Sequence, residues 1–374
     1  MKTQRPYSIL IKFFSILLIV LLFIYNYSSN HINTENFALG EGTSSHFASV
    51  DGTPIHINKI DSGEFSSLLN GVKTNESGDI ILFLGNSQTH GINQYKKGDS
   101  NYVELFHHSM TDRYVISHSI QNASMQYFLL SLAYFNSKMN INEVVVPLFY
   151  DDFREDGIRT IFFKELLNNS FQLDTNFGDV AIRLNEQLAL KQKTEIVNSE
   201  KGYVSTQEKT EKYLDDKLSS IFSFWKSRSS IRGKIFIQLY QLRNKMFGIN
   251  AQTIRKQNPA VFNKNMDALK VIQNYCEQNQ IKLYTYIPPI RTDVAIPYDI
   301  SDYNSFKKTV DSMFRNQTIN CHYDLESVVP GKFWGVKNST TGSQEMEYDF
   351  MHFTGEGHRL LYDSLHYKMI VNSN

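Results

Sequence analysis

No sign of charge prevails in this chain: 38 Lys and Arg face 38 Asp and Glu. Without a global field to draw a polyanion, a nucleic-acid role is disfavoured. Cysteine is nearly absent as well. Cys276 and Cys321 make neither a metal-ligand spacing nor a disulfide framework, so no metal site is expected. One bridge in an oxidising compartment and two separate thiols both remain open. No internal repeat is present, which removes repeat architectures. What is there is apolar substance, 41% hydrophobic and 13% aromatic residues. That supports a sizeable core and excludes wholesale disorder. At 374 residues the chain holds one large domain or two ordinary ones.

Long hydrophobic runs are also scarce. The longest, Phe13 to Tyr25, is short for a membrane span, which needs ~20 apolar residues. Ile9 to Ile11 bring it close to that length if Lys12 snorkels to the headgroups. A cleaved signal peptide is the alternative, but Asn26 to His31 is polar and offers no Ala-x-Ala-like site. The reading adopted is a cytoplasmic tip and uncleaved transmembrane signal anchor over 1–29. Lys2, Arg5 and Lys12 precede the span, which directs the rest of the chain outward. A single-pass protein of the cytoplasmic membrane, with its catalytic domain periplasmic or extracellular, is expected. Residues 30–78 then read as a stalk leading into the fold, and 79–374 as an α/β domain.

Within that domain, apolar runs alternate with helical periodicity. Ile80–Leu84, Tyr114–Ser117, Glu143–Leu148, Lys282–Ile287 and Ile319–Leu325 are the predicted strands. Helices are predicted over about 125–137, 261–279, 303–314 and 355–370. Strands separated by helices imply a parallel sheet with helices on both faces. The rhythm breaks at about 155–260, a mostly helical insertion with segments near 179–195, 208–228 and 231–247, expected to serve as cap, lid or partner surface.

Gly85-Asn86-Ser87-Gln88-Thr89-His90-Gly91 follows the first strand directly, and Asp349-Phe350-Met351-His352 precedes the last helix. A serine leaving a buried strand on a tight turn can be a nucleophile. The ordinary alternative is a serine that caps the following helix. Asp349 and His352 can supply a base and its orienting carboxylate from one short loop. In open α/β sheets ligands collect beyond the carboxyl ends of the strands. Ser87, Asn122, Asp151 and Asp152 follow strands one to three, and Asp349 and His352 lie beyond the fifth, so these residues are expected to converge. Gly98-Asp99-Ser100 follows a polar stretch and reads as a surface turn.

The strand with Gly85-Asn86-Ser87, together with Asp349-x-x-His352, resembles the first and last blocks of the SGNH (GDSL-type) hydrolases, over roughly 80–154 and 260–370. The anchor and insertion resemble the superfamily's envelope branch, which includes DltD-like and polysaccharide O-acetylation proteins. The resemblance implies a flavodoxin-like three-layer α/β/α fold and a Ser87–His352–Asp349 triad, with no metal or other cofactor. It puts Asn122 where the family has an oxyanion-hole glycine, and Asn tolerates positive φ. It puts Asp151 where the family has an Asn donor. A carboxylate there is an acceptor only, so Asp151 faces elsewhere or the site treats its substrate differently. His90, Arg154 and Arg291 are candidate substrate contacts; for the arginines the alternative is a salt bridge. Phe149, Tyr150, Phe153 and Trp334 are either sugar-stacking or core residues. The expected function is an acyltransferase or esterase acting on O-acyl groups, acetyl foremost, of an envelope polysaccharide. Its partners would be an acylated glycan and a candidate membrane-bound acyltransferase. A catalytically weak assembly protein and DltD-like alanyl transfer are the alternatives.

Overall fold

The computed structural model describes residues 42–58, 62–74, 78–158, 166, 170–200, 228–315, 320–343 and 345–371. The anchor expected over 1–29 and most of the helical segment expected near 208–228 lie outside them. Among the described residues no helix is long and apolar enough to cross a membrane.

Six parallel strands form the central sheet: β1 (His56–Ile57), β2 (Asp79–Gly85), β3 (Arg113–Ser119), β4 (Glu143–Pro147), β5 (Lys282–Ile287) and β6 (Cys321–Asp324). Their spatial order is β6-β5-β4-β2-β3-β1. The five strands expected from sequence thus lie in the flavodoxin-like order, with β1 added at one edge. Alternation along β2 divides the interior into two layers. Ile80, Leu82 and Leu84 enter one core, while Ile81 and Phe83 enter the other.

The first core is covered by helices α1 (Ser62–Thr74), α3 (Met125–Lys138), α6 (Pro259–Gln278) and α7 (Ile300–Phe314). The second is covered by α2 (Tyr102–Ser109) and α8 (Gly355–Val371). Helix α3 is capped by Ser124, which accepts from the Tyr127 N–H, and every residue from Met125 to Phe135 is buried. Its lack of a polar stripe follows from burial between sheet, α1 and α6.

Three features sharpen the expectations, and the last corrects one. Residues 43–57, within the segment expected as stalk and entry to the fold, are part of the fold: Thr43–Ser45 pairs with Gly91–Asn93, and His56–Ile57 is the sheet edge. Two-residue strands carry no periodicity, so the sequence hides them. The insertion is docked over only part of its described length. Its helix α4 (Asp179–Glu200) buries Val180, Ala181, Leu184 and Leu188 in the first core, whereas α5 (Arg228–Phe247) leaves Leu239, Leu242, Met246 and Phe247 exposed. Finally, Asp349 and His352 are not on a loop. They lie on β8 (Met346–Phe353), which forms an antiparallel hairpin with β7 (Trp334–Asn338).

That hairpin is irregular where it matters. Trp334 pairs with Phe353 and Val336 with Tyr348, so Gly335 alone lies opposite Asp349–His352. The bulge frees the Asp-to-His stretch to turn inward. A Cβ on Gly335 would stand 1.9 Å from Cγ of Asn93, a fully buried side chain that hydrogen-bonds Asp349. Gly335→Ala should therefore destabilise the chain by about 1–3 kcal/mol, as overpacking of a closed site does. Urea unfolding of the two proteins measures it; equal midpoints would show that Asn93 can retreat at no cost.

Candidate active site

The turn after β2 is a single helical turn, Ser87–His90. Its N-cap is Asn86, whose Oδ1 accepts from the Gln88 N–H at 2.9 Å. The capping role therefore falls on Asn86 and leaves the Ser87 hydroxyl uncommitted to it. Asn86 Nδ2 in turn donates to both oxygens of the buried Asp152, at 3.0 and 3.1 Å. Within this turn Ser87 alone is partly exposed; Gln88, Thr89 and His90 are buried.

On the opposing hairpin, Asp349 and His352 form a buried pair. Asp349 Oδ2 lies 2.9 Å from His352 Nδ1, while Oδ1 accepts from the N–H groups of Met351 (2.8 Å) and His352 (3.1 Å). Asn93 Nδ2 donates to Oδ2 at 3.1 Å. Burial alone would raise the Asp349 carboxyl. The imidazole and the backbone donors outweigh it and bring the group down to about 2. A carboxylate ionised at neutral pH fixes the tautomer with the proton on Nδ1, which makes Nε2 the acceptor. His352 Nε2 is buried and has no hydrogen-bond partner.

Gly91 brings the two halves together. A Cβ on it would stand 2.6 Å from His352 Cδ2, 3.2 Å from Nε2 and 2.7 Å from the Ser87 carbonyl oxygen. Only glycine lets the imidazole lie against the turn that carries Ser87. A cavity of about 190 Å³ opens beside this turn, lined by Ser87, Asn86, Asn122, Asp152, Arg255 and Met351 among others. Asn122 has φ +52°, the left-handed conformation expected of it.

Asp151 also lines the cavity, but its carboxylate is occupied. It accepts from Arg154 Nη1 (2.9 Å), the Tyr298 hydroxyl (3.0 Å) and Arg255 Nη1. For Arg255, burial opposes the charge, yet Asp151 beside it outweighs burial and raises the guanidinium above its ordinary value. Asp151 is thus held in a cationic clamp. Arg154 reaches the cavity wall and also donates to the Lys256 carbonyl at 3.1 Å.

Two candidate contacts lie elsewhere. Arg291 is buried in a two-pronged pair with Asp293 (2.9 and 3.1 Å) and donates to the Gly335 carbonyl at 2.8 Å, so it braces the hairpin. His90 is sealed under the turn, with Nδ1 2.8 Å from the Ser119 hydroxyl. Phe149, Tyr150, Phe153 and Trp334 are core residues. Gly98-Asp99-Ser100 is a turn, with Asp99 accepting from the Lys96 N–H. Both cysteines are free thiols. Among the described residues no group of His, Cys, Asp and Glu could hold a metal ion.

Sequence reasoning passed over Asn93 and Arg255, and read Gly91 only as the end of the Ser87 turn. Asn93 stands two residues beyond that glycine. Arg255 sits in the insertion, where no strand order points to it.

Behind the turn lies a set of buried histidines. His56 Nε2 and His90 Nδ1 meet at Ser119 Oγ (2.6 and 2.8 Å), His118 meets the Tyr127 hydroxyl, and His358 Nε2 donates to the Gly91 carbonyl at 3.2 Å. Burial lowers His90, His118 and His358 to about 3 and His56 well below the ordinary value; neighbouring histidines add to this for His56, His90 and His358.

No family profile and no curated protein matches the chain. Among solved structures, a proposed acylhydrolase from Bacteroides fragilis aligns over 84% of this chain and 99% of its own, at 10% identity and a TM-score of 0.36. A family two carbohydrate esterase from Clostridium thermocellum, bound to cellohexaose, aligns over 79% of this chain and 64% of its own, at 10% identity and a TM-score of 0.34. Likenesses this distant do not carry chemistry across, which leaves the functional reading to the site itself.

The histidine set has a pH signature. Unfolded imidazoles titrate near 6.5 and these folded ones lower, so the unfolded chain binds more protons between those values. Stability is fully present above pH 6.5 and declines as pH falls toward 3. Down to pH 5 each imidazole removes up to about 2 kcal/mol. Asp349 adds its own loss only below about pH 4, in the window between its ordinary 3.8 and about 2. Urea midpoints at pH 7.5, 6 and 5 should fall steadily; a flat profile would mean that these histidines are already charged or solvated.

Proposed function

We propose that this chain is an SGNH-type serine esterase or O-acyltransferase that acts on O-acyl groups, acetyl foremost, of a cell-envelope polysaccharide. The observation that carries the reading is His352 Nε2: buried, unpaired, oriented by Asp349, and resting against the turn of Ser87. Nucleophile–base bonds tighten as substrate binds, so the pair does not require a Ser87–His352 bond beforehand.

In this reading Ser87 Oγ attacks the acyl carbonyl and its proton passes to His352 Nε2. Asp349 stabilises the imidazolium and stays ionised. The backbone at Asn122 supplies an oxyanion donor. The ester C–O bond breaks, the departing sugar hydroxyl takes the proton from His352, and the acyl group rests on Ser87. Water or a second sugar hydroxyl then attacks, giving hydrolysis or transfer. Asp151, neutralised by Arg154 and Arg255, does not repel the oxyanion as a free carboxylate would. The basic N-terminus and apolar run over 1–29 support an anchored site outside the cytoplasm.

Release of acetate, or its transfer, from O-acetylated oligosaccharides by the full chain tests the proposal. Ser87→Ala should lower the rate by at least roughly 10³-fold with no change in the unfolding midpoint. Gly91→Ala, which pushes the imidazole from the turn, should cut kcat by roughly 10²-fold. A rate that survives in Ser87→Ala would overturn the reading and favour a non-catalytic assembly role.

A further inference from the structure

A second cavity, of about 300 Å³, lies along the same hairpin and is lined by Asn250, Gln252, Thr341, Met346, Glu347 and Tyr348, among others. Its two walls come from the same two chain segments that contribute to the Ser87 cavity. On β8, Tyr348 faces the second cavity and Met351 the first. On the segment ending the insertion, Gln252 faces the second and Arg255 the first. On each wall the step is three residues, at most about 10 Å of chain. The walls are tied together by the Ala251 N–H, which donates to Glu347 Oε2 at 3.0 Å.

The lining is suited to a sugar. Met346 and Tyr348, two residues apart on one strand face, remain 50% and 42% exposed, an apolar platform among amide, hydroxyl and carboxylate groups. The Tyr348 ring is also fixed: the Arg291 guanidinium lies over it, 4.3 Å from the centroid, and is itself locked by Asp293 and the Gly335 carbonyl. An aromatic ring held rigid at a wet surface gives contact area at little cost in entropy. This also gives Arg291 a purpose, since a plain salt bridge would not need the stacking.

We infer that the two cavities form one cleft for a glycan chain, in which the Ser87 cavity takes the acylated residue and the Tyr348 cavity takes a neighbouring one. The inference rests on the function proposed above and adds to it a second sugar subsite, which grips the polymer at a distance from the reacting ester.

Calorimetric titration of the full-length chain carrying Ser87→Ala with hexasaccharides of glucose, xylose and N-acetylglucosamine tests this directly. At least one should bind, and adding Tyr348→Ala or Gln252→Ala should weaken that binding by roughly tenfold each. The Gln252 change leaves the hairpin intact, so a misfolded Tyr348 variant does not decide the matter. Binding of none of the three, or equal binding by all variants, overturns the inference. Failure of the catalytic reading is a separate result: it appears as acetate release indifferent to Ser87.

Discussion

An imidazole resting on a glycine is the contact on which this site depends. His352 belongs to a hairpin at one end of the chain and Gly91 to the turn after β2, and nothing in the sheet itself joins them. Their approach needs the bulge opposite Gly335, the Asn93 amide that holds Asp349, and Arg291 beneath the hairpin. The last two are buried polar groups with specific partners, the kind of arrangement that is costly to leave half-made. The sheet positions Ser87, and this polar framework holds the His352 imidazole against the turn that carries it.

The same framework accounts for the odd third strand end. A partly buried carboxylate on a cavity wall is unfavourable unless its charge is met. Here Arg154 from the same turn and Arg255 from the insertion meet it, with Tyr298 as a further donor. The insertion is therefore more than an appendage. Its end supplies a cation to the Ser87 cavity and part of the wall of the second cavity, which makes it an element of the candidate site.

How much of this was legible in the sequence follows from the physics of each element. β2 and β4 were readable because buried parallel strands are continuous apolar runs, and β3, β5 and β6 because they alternate with helices. Ser87, Asn122 and Asp151 were readable because strand ends converge in such a sheet, and all three line one cavity. The edge strand His56–Ile57 and the hairpin were not: the former is too short to show a period, and Met346-Glu-Tyr-Asp-Phe-Met-His-Phe353 mixes charge with aromatics because its bulge interrupts the alternation. Arg291 and His90 were misplaced because sequence proximity to a strand end or to Ser87 does not say which way a side chain turns.

The most direct test of the central claim is mass spectrometry of the full chain after treatment with a fluorophosphonate, comparing wild type with Asp349→Asn. An oriented imidazole that activates Ser87 predicts a single adduct on Ser87 in the wild type, forming far more slowly in the variant. A wild type that never reacts at Ser87, or an adduct that forms equally fast without the Asp349 carboxylate, would contradict it.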